Sequence, residues 1–305
     1  MNRRKFLNQA GILALAAPLA NQILAADMAD DNTSDKITIL HTNDVHSHIE
    51  PFPANHSKYP NLGGVARRYS VIKQVRESQP NTLVLDAGDS FQGTPYFNFY
   101  GGELEFKLMS KMGYHASTIG NHEFDAGIDN ITKQLQHANF DMLTANYDFS
   151  QTSLAYKTLP HKVYETGGFK IGVFGLGIEL NGLVSKKLYK DTRYLDPVAI
   201  AREQVDILRT DKNCDLVICL SHLGYDYKSD KISDRKLARL TYGIDLIIGG
   251  HTHTFLNQPV VEKNSKDQDV MINQVGWAGI NLGKVDFYMK KHQLQKVNAS
   301  LIALN

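Results

Sequence analysis

The feature that most constrains this chain is an alternation that begins at Ile37. Short, fully apolar runs alternate with longer segments in which apolar residues recur at helical spacing. "ITIL", "NTLVLDA", "ASTIG", "DMLTAN", "KIGVFGL", "DLVICLSH" and "DLIIGGH" have no polar face to turn to water, so each reads as a strand buried on both sides. Between them, "GGVARRYSVIKQVRES", "GELEFKLMSKMG", "GIDNITKQLQHA", "DPVAIAREQVDILRT" and "SDRKLARLTYG" predict helices. Strand–helix alternation of this kind predicts an α/β fold with a mostly parallel central sheet. Near the end, "QPVVEKNSKDQDVMINQVG" predicts an antiparallel hairpin and "LGKVDFYMKKHQLQKVNASLIAL" two further strands. Neither an internal repeat nor a Pro- or Gly-rich linker divides residues 37–303, which predicts one domain.

The amino terminus obeys a different pattern. Arg3, Arg4 and Lys5 precede a short apolar stretch broken by Gly11 and Pro18 and flanked by alanines. The stretch is too short and too weakly apolar for a comfortable membrane span. Its twin arginines followed by Phe6 and Leu7 resemble a bacterial export signal, so residues 1–26 are expected to direct export, to the periplasm. Cutting after Ala25 or Ala26 leaves Ile23 or Leu24 at −3, so an uncleaved anchor is the alternative. Residues 27–36 read as a polar acidic linker. Lysine plus arginine number 33 against 32 aspartates and glutamates, and no like-charge block suggests a nucleic-acid surface. Without residues 1–26 the balance is 30 basic to 32 acidic. The two cysteines, Cys214 and Cys219, sit about 16 Å apart on an extended strand, beyond disulfide reach, and are expected as buried apolar residues.

Polar residues cluster where these runs end. Asp44 and His46 follow "ITIL", Asp86 and Asp89 follow "TLVL", and Asn121, His122 and Glu123 follow "ASTI". His222 follows "VICL", and His251 and His253 follow "DLII". In open α/β sheets the carboxyl ends of strands are where ligands bind. The side chains are carboxylate, imidazole and amide, with no thiolate, a donor set that suits zinc, manganese, iron or cobalt. In D-x-H and H-x-H on an extended chain, residues two apart point to one side, so Asp44 with His46 and His251 with His253 are expected to face ions in pairs. Asp89 is expected to bridge two ions through its two oxygens. Seven ligands result, Asp44, His46, Asp89, Asn121, His222, His251 and His253. Two metals some 3.5–4 Å apart serve phosphoester hydrolysis by activating a shared water. His122 is then free to act on the phosphoryl group or leaving oxygen, with Asp125 orienting its ring.

These segments resemble the calcineurin-like metallophosphoesterase superfamily, and in detail its 5′-nucleotidase family. "ITILHTNDVHSHI" and "YHASTIGNHEFD" match that family's first two motifs, "SHLGYD" and "GGHTHTF" follow in order, and "QVGWAGINLGKV" resembles its last stretch. The resemblance implies a four-layer α/β/β/α sandwich. It implies one metal on Asp44, His46, Asp89 and His253, a second on Asp89, Asn121, His222 and His251, and a catalytic pair on His122 and Asp125. It further implies a small-molecule phosphoester substrate. Typical members carry a carboxyl-terminal nucleotide-binding domain, which is expected to be absent here, so a separately encoded subunit supplying it is one expectation. Relatives acting on UDP-sugars, cyclic nucleotides or sulfate esters define the alternative substrates, and a non-catalytic or metal-storing copy of the fold defines the alternative classes.

Other polar and aromatic residues carry plainer expectations. His41 is expected to hydrogen-bond a ligand residue, and Glu123 to support its loop. Asp86 is split between structural and ligand-supporting roles, and His48, His56, His115, His137 and His161 are expected at the surface or in packing. Trp277 is expected in the core, and "YFNFYGG" (96–102) as a packed loop, with a loop lining the substrate mouth as the alternative.

Overall fold

The computed structural model describes residues 35–305, so the expected export signal and most of the linker lie outside the described residues. The first sheet is built from β1 (Asp35–Thr42), β2 (Thr82–Asp86), β3 (Ala116–Thr118) and β4 (Asp141–Leu143). A minor strand β5 (Tyr147–Asp148) precedes the second sheet, which opens with β6 (His161–Thr166) and β7 (Phe169–Leu176). Strand β8 (Arg193–Tyr194) pairs with β5, and β9 (Leu216–Ser221), β10 (Leu246–Gly249), β11 (Val260–Lys263) and β12 (Asp269–Asn273) complete the second sheet. The closing hairpin, β13 (Asn281–Lys290) and β14 (Gln293–Ala303), returns to the first.

The sheets have the orders β14-β13-β1-β2-β3-β4 and β11-β12-β10-β9-β7-β6. Each has a four-stranded parallel centre with antiparallel strands outside it. The expectation of one central sheet is therefore corrected to two. The strands are buried on both faces as predicted, but an apolar strand reads alike whether it is covered by helices on both sides or by a helix and a second sheet. Alternation along each strand sorts the residues. Ile37 and Ile39 of β1 meet Leu216, Ile218 and Leu220 of β9 in the layer between the sheets. Leu40 and Val84 face α1 (Val65–Ser78), α3 (Glu103–Met112) and α4 (Ile128–Gln134) on one outer side. Val217, Cys219 and Ile247 face α6 (Pro197–Asp206) and α7 (Asp234–Leu240) on the other. The result is the α/β/β/α sandwich that the resemblance implied.

Several details depart from expectation. Strand β1 begins at Asp35, two residues inside the expected linker. Strand β6 was not anticipated, because "HKVYET" is only half-buried at the sheet edge. The aromatic segment expected as a loop forms a short helix, α2 (Pro95–Tyr100), opened by its proline and stopped by Gly101 in the left-handed region at φ 62°. A fifth short helix, α5 (Lys186–Tyr189), lies in the connection from β7 to β8. Both cysteines are buried and unbridged. Among the described residues no helix is long and apolar enough to cross a membrane.

Candidate metal centre

All seven expected ligands, with His122 and Asp125, come from loops at the carboxyl ends of parallel strands. The backbone there contradicts the expected reason for the paired motifs. Asp44, His46, Asp89, His251 and His253 have φ values of 51°, 50°, 56°, 70° and 50°, so these side chains leave a left-handed backbone rather than an extended one. Non-glycine residues reach that region at a cost of roughly 1–2 kcal/mol each, and the loops supply compensation. Asp44 N donates to Gly88 O, His46 N to Asp89 O and Ser47 N to Ser90 O, each at 2.9 Å, which extends the β1–β2 pairing into the ligand loops. Gly120 makes close approach possible, since a Cβ there would stand 2.2 Å from Asp89 Oδ1 and 2.7 Å from His222 Cε1.

The donor atoms fall into two groups, Asp44–His46–His253 and Asp89–His222–His251, with the atoms of each group within 4.8 Å of one another. Asp89 joins them differently from expectation. Its Oδ1 accepts the His122 backbone N–H at 2.8 Å. Its Oδ2 alone faces both groups, 3.0 Å from His222 Nε2 and 3.8 Å from His46 Nε2. Asn121 is brought in by its Oδ1, 2.8 Å from His251 Nδ1. His122 stands edge-on to the His46 ring at 5.1 Å, with its Nδ1 2.7 Å from Asp125 Oδ2. That pair forms because a 3-10 turn, His122–Ala126, superposes residues three apart.

The electrostatics fit divalent cations. His222 Nδ1 donates to Ala87 O at 2.7 Å, so in a neutral ring the buried Nε2 lone pair points at Asp89 Oδ2 and has no hydrogen-bond partner. A metal ion between them, or a proton on Nε2 donated to Asp89, relieves that contact. Burial opposes charge on His222, but Asp89 outweighs it and raises the imidazole to about 10. Burial likewise pushes Asp44 up to about 8. Asp89, equally buried, is drawn below the usual carboxylate range by His222 and His46. Burial lowers His251 to about 3 and His253 to about 4, keeping both neutral, the state in which imidazole binds metal. His46 Nε2 and His253 Nε2 lie 2.9 Å apart, two neutral nitrogens converging as a shared cation would hold them.

A second ring of residues holds the ligands, and only part of it was expected. Glu123 accepts from the backbone N–H groups of Asp89, Ser90, Phe91 and Gly120, so it supports its loop as anticipated. Asp86 accepts from Thr42, Gly88 N and Ser117 and shapes the turn before Asp89. His41 does not reach a ligand. Its Nε2 accepts from Asn273 Nδ2 at 2.9 Å, inside the core. Asn43 escaped the sequence reading although it donates to Asp44 Oδ2 and clamps the backbone of Val275 and Gly276. Gln274 also escaped. It donates to Gly250 O and accepts from Thr254 N, bracing the His251–His253 loop. Trp277 is half-buried beside His253 rather than in the core.

Residues 37–255 match the model of the calcineurin-like phosphoesterase family. The chain belongs to that family. This phosphoesterase is 31% identical over 297 residues to the snake venom 5′-nucleotidase of Gloydius brevicauda, covering 88% of the chain and 48% of that protein. It is 36% identical over 231 residues to the 5′-nucleotidase of Homo sapiens, covering 72% and 38%. The crystal structure of a 5′-nucleotidase precursor from Thermus thermophilus superposes with a TM-score of 0.80 at 33% identity, covering 88% of the chain and 54% of that chain. The phosphoesterase thus spans about half the length, or less, of these relatives.

Proposed function

We propose that this phosphoesterase is an exported hydrolase that uses two divalent metal ions to cleave phosphate esters of nucleotides or related small molecules. The observation that carries the reading is Asp89 Oδ2, one carboxylate oxygen facing two groups of imidazole and carboxylate donors, with the His122–Asp125 pair alongside. Asp44, His46, Asp89 and His253 would hold one ion, and Asp89, Asn121, His222 and His251 the other. Zinc, manganese, iron and cobalt all accept this nitrogen and oxygen set. When bound, the ions polarise the phosphoryl oxygens and activate a water for attack.

The chain's own residues supply the remaining work. The Asp125 hydrogen bond raises His122 above its ordinary value, which favours the protonated ring. With Nδ1 committed to Asp125, Nε2 presents that proton to the phosphoryl or leaving oxygen. Asn43, Gln274 and Glu123 hold the ligand loops in their left-handed backbone, so the donors converge before a substrate arrives. Export rests on the twin-arginine stretch of residues 1–26.

The test is to purify the chain, load manganese or zinc, and assay p-nitrophenyl phosphate, bis-p-nitrophenyl phosphate and AMP beside an Asp89→Asn variant. Turnover of a phosphomonoester that Asp89→Asn loses supports the reading. AMP preferred over the generic ester assigns nucleotide selectivity to this domain. Two bound metals per chain without turnover of any ester overturns the hydrolase assignment.

A further inference from the structure

Ligating histidines ordinarily have their second ring nitrogen tethered, which fixes the ring plane and the lone-pair direction. Two of the four candidate imidazoles obey this through a partner outside the donor set. His46 Nδ1 lies 3.3 Å from Phe91 O and His222 Nδ1 2.7 Å from Ala87 O, whereas His251 Nδ1 meets Asn121 Oδ1, itself a candidate donor, at 2.8 Å. His253 likewise has no such tether, because among the described residues its single hydrogen-bonding contact is Nε2 to His46 Nε2, on the metal side. It is also the least covered of the ligands, with 39% of its side chain exposed. A ring without a tether on an open rim loses its orientation to rotamer motion.

The tether is replaced by a stack. The imidazole of His253 lies parallel to the Trp277 indole, with 3° between the planes and 5.7 Å between centroids, the offset arrangement that aromatic pairs favour. Trp277 is itself gripped edge-on by His48 at 5.2 Å, Phe52 at 5.9 Å and Tyr59 at 6.3 Å. Its backbone is sewn to the ligand loops on both sides. Ala278 N donates to Asp44 O at 2.7 Å, Gly276 N donates to Thr254 O at 3.0 Å, and Asn43 Nδ2 donates to Gly276 O at 2.6 Å. The indole plane is therefore fixed relative to Asp44 on one side and to the His253 loop on the other.

We propose that Trp277 is a positioning residue for the metal held by Asp44, His46 and His253, orienting His253 by ring stacking where His46 and His222 use a hydrogen bond. The inference rests on the two-metal reading above and adds to it a residue that touches no metal. A stacked pair and a lost orienting partner each correspond to roughly tenfold in affinity. The effect falls on one metal of the two, since the indole stacks on His253 and not on the imidazoles of the Asp89–His222–His251 group.

The experiment titrates cobalt(II) into metal-depleted full-length protein, following visible absorbance and bound metal after gel filtration. Trp277→Leu keeps an apolar side chain without a ring, and Trp277→Phe keeps a ring. The expectation is that Trp277→Leu weakens one of two binding steps by about tenfold and leaves the other unchanged, while Trp277→Phe recovers most of the loss. His253→Ala should weaken the same step, and adding Trp277→Leu to it should cost nothing further, because the indole acts through that ring. The assignment is overturned if Trp277→Leu titrates as wild type, if both steps weaken equally, if Trp277→Phe behaves as Trp277→Leu does, or if the double variant loses more than His253→Ala. Misfolding of Trp277→Leu leaves the test with Trp277→Phe against Trp277→Met, read the same way. Wild-type protein that takes up no cobalt overturns this inference and the two-metal reading together. Two ions in wild type with an unaltered Trp277→Leu variant overturns the Trp277 role alone.

Discussion

Replacing Glu123 with glutamine changes no volume and removes one charge, yet it should be among the most damaging substitutions outside the ligands. Oε2 of Glu123 accepts from Asp89 N at 3.0 Å and Gly120 N at 2.7 Å. Oε1 accepts from Ser90 N at 2.7 Å, Ser90 Oγ at 3.0 Å and Phe91 N at 3.3 Å. An amide has one acceptor end. Whichever way it is turned, its NH2 faces two backbone N–H donors, in a site that is 1% exposed. Each buried donor left without an acceptor costs about 1–3 kcal/mol, so the change should destabilise the protein by roughly 2–6 kcal/mol. That is a large part of the ~5–15 kcal/mol typical of a folded domain. The assay is equilibrium urea unfolding of metal-free protein at pH 8, above the value of about 7 to which burial and the nearby Asp89 push this carboxyl, so that the anion is the reference state. Because the orphaned donors belong to the Asp89 and Gly120 loops, metal affinity should fall as well. A Glu123→Gln variant within about 0.5 kcal/mol of wild type would refute the account, since that is the range of surface changes without structural consequence.

Gly120→Ala should weaken both metals by tenfold or more, as its Cβ would occupy the space of Asp89 Oδ1; metal content by mass spectrometry checks it, and a variant retaining two tightly held ions would contradict the packing. His122→Ala should reduce kcat by about 10²–10⁴ with metal content unchanged. Asp125→Asn should move the alkaline limb of the kcat profile to lower pH, because losing the bond that raises His122 lets the imidazole lose its proton earlier. Burial lowers His41 from 6.5 to about 3, so the unfolded chain takes up this proton first as pH falls. The stabilisation is complete above pH 6.5 and is lost on descending toward 3, at about 1.4 kcal/mol per pH unit. In His41→Gln the dependence of unfolding free energy on pH between 6 and 4.5 should be shallower by about that slope, and equal slopes would exclude the assignment.

Residue type and local spacing were enough to single out the side chains proposed to hold metal. Asp44, His46, Asp89, Asn121, His222, His251 and His253 each follow an apolar run, and strand ends at a parallel sheet's carboxyl edge converge whatever the details of packing. The burial of β1 and β9 on both faces was legible because their apolar runs leave no polar face for water, a property of one strand alone. The number of sheets was not, because pairing between strands leaves no mark on the periodicity within them. From the residues alone, one sheet covered by helices reads as well as two sheets face to face, and the second sheet entered only through resemblance to a known family. Nor could spacing reveal that Asp44, His46 and Asp89 stand on left-handed backbone, in loops held together by the pairing of residues 44–47 with 88–90. That Asp89 Oδ2 alone faces both donor groups follows from His122 N–H having taken Oδ1. Asn43 and Val275 meet across 232 positions of chain, and the Trp277 ring meets His253 only because that clamp carries it there. Such contacts depend on how separate elements pack, which is decided by the whole folded chain and not by any stretch of it.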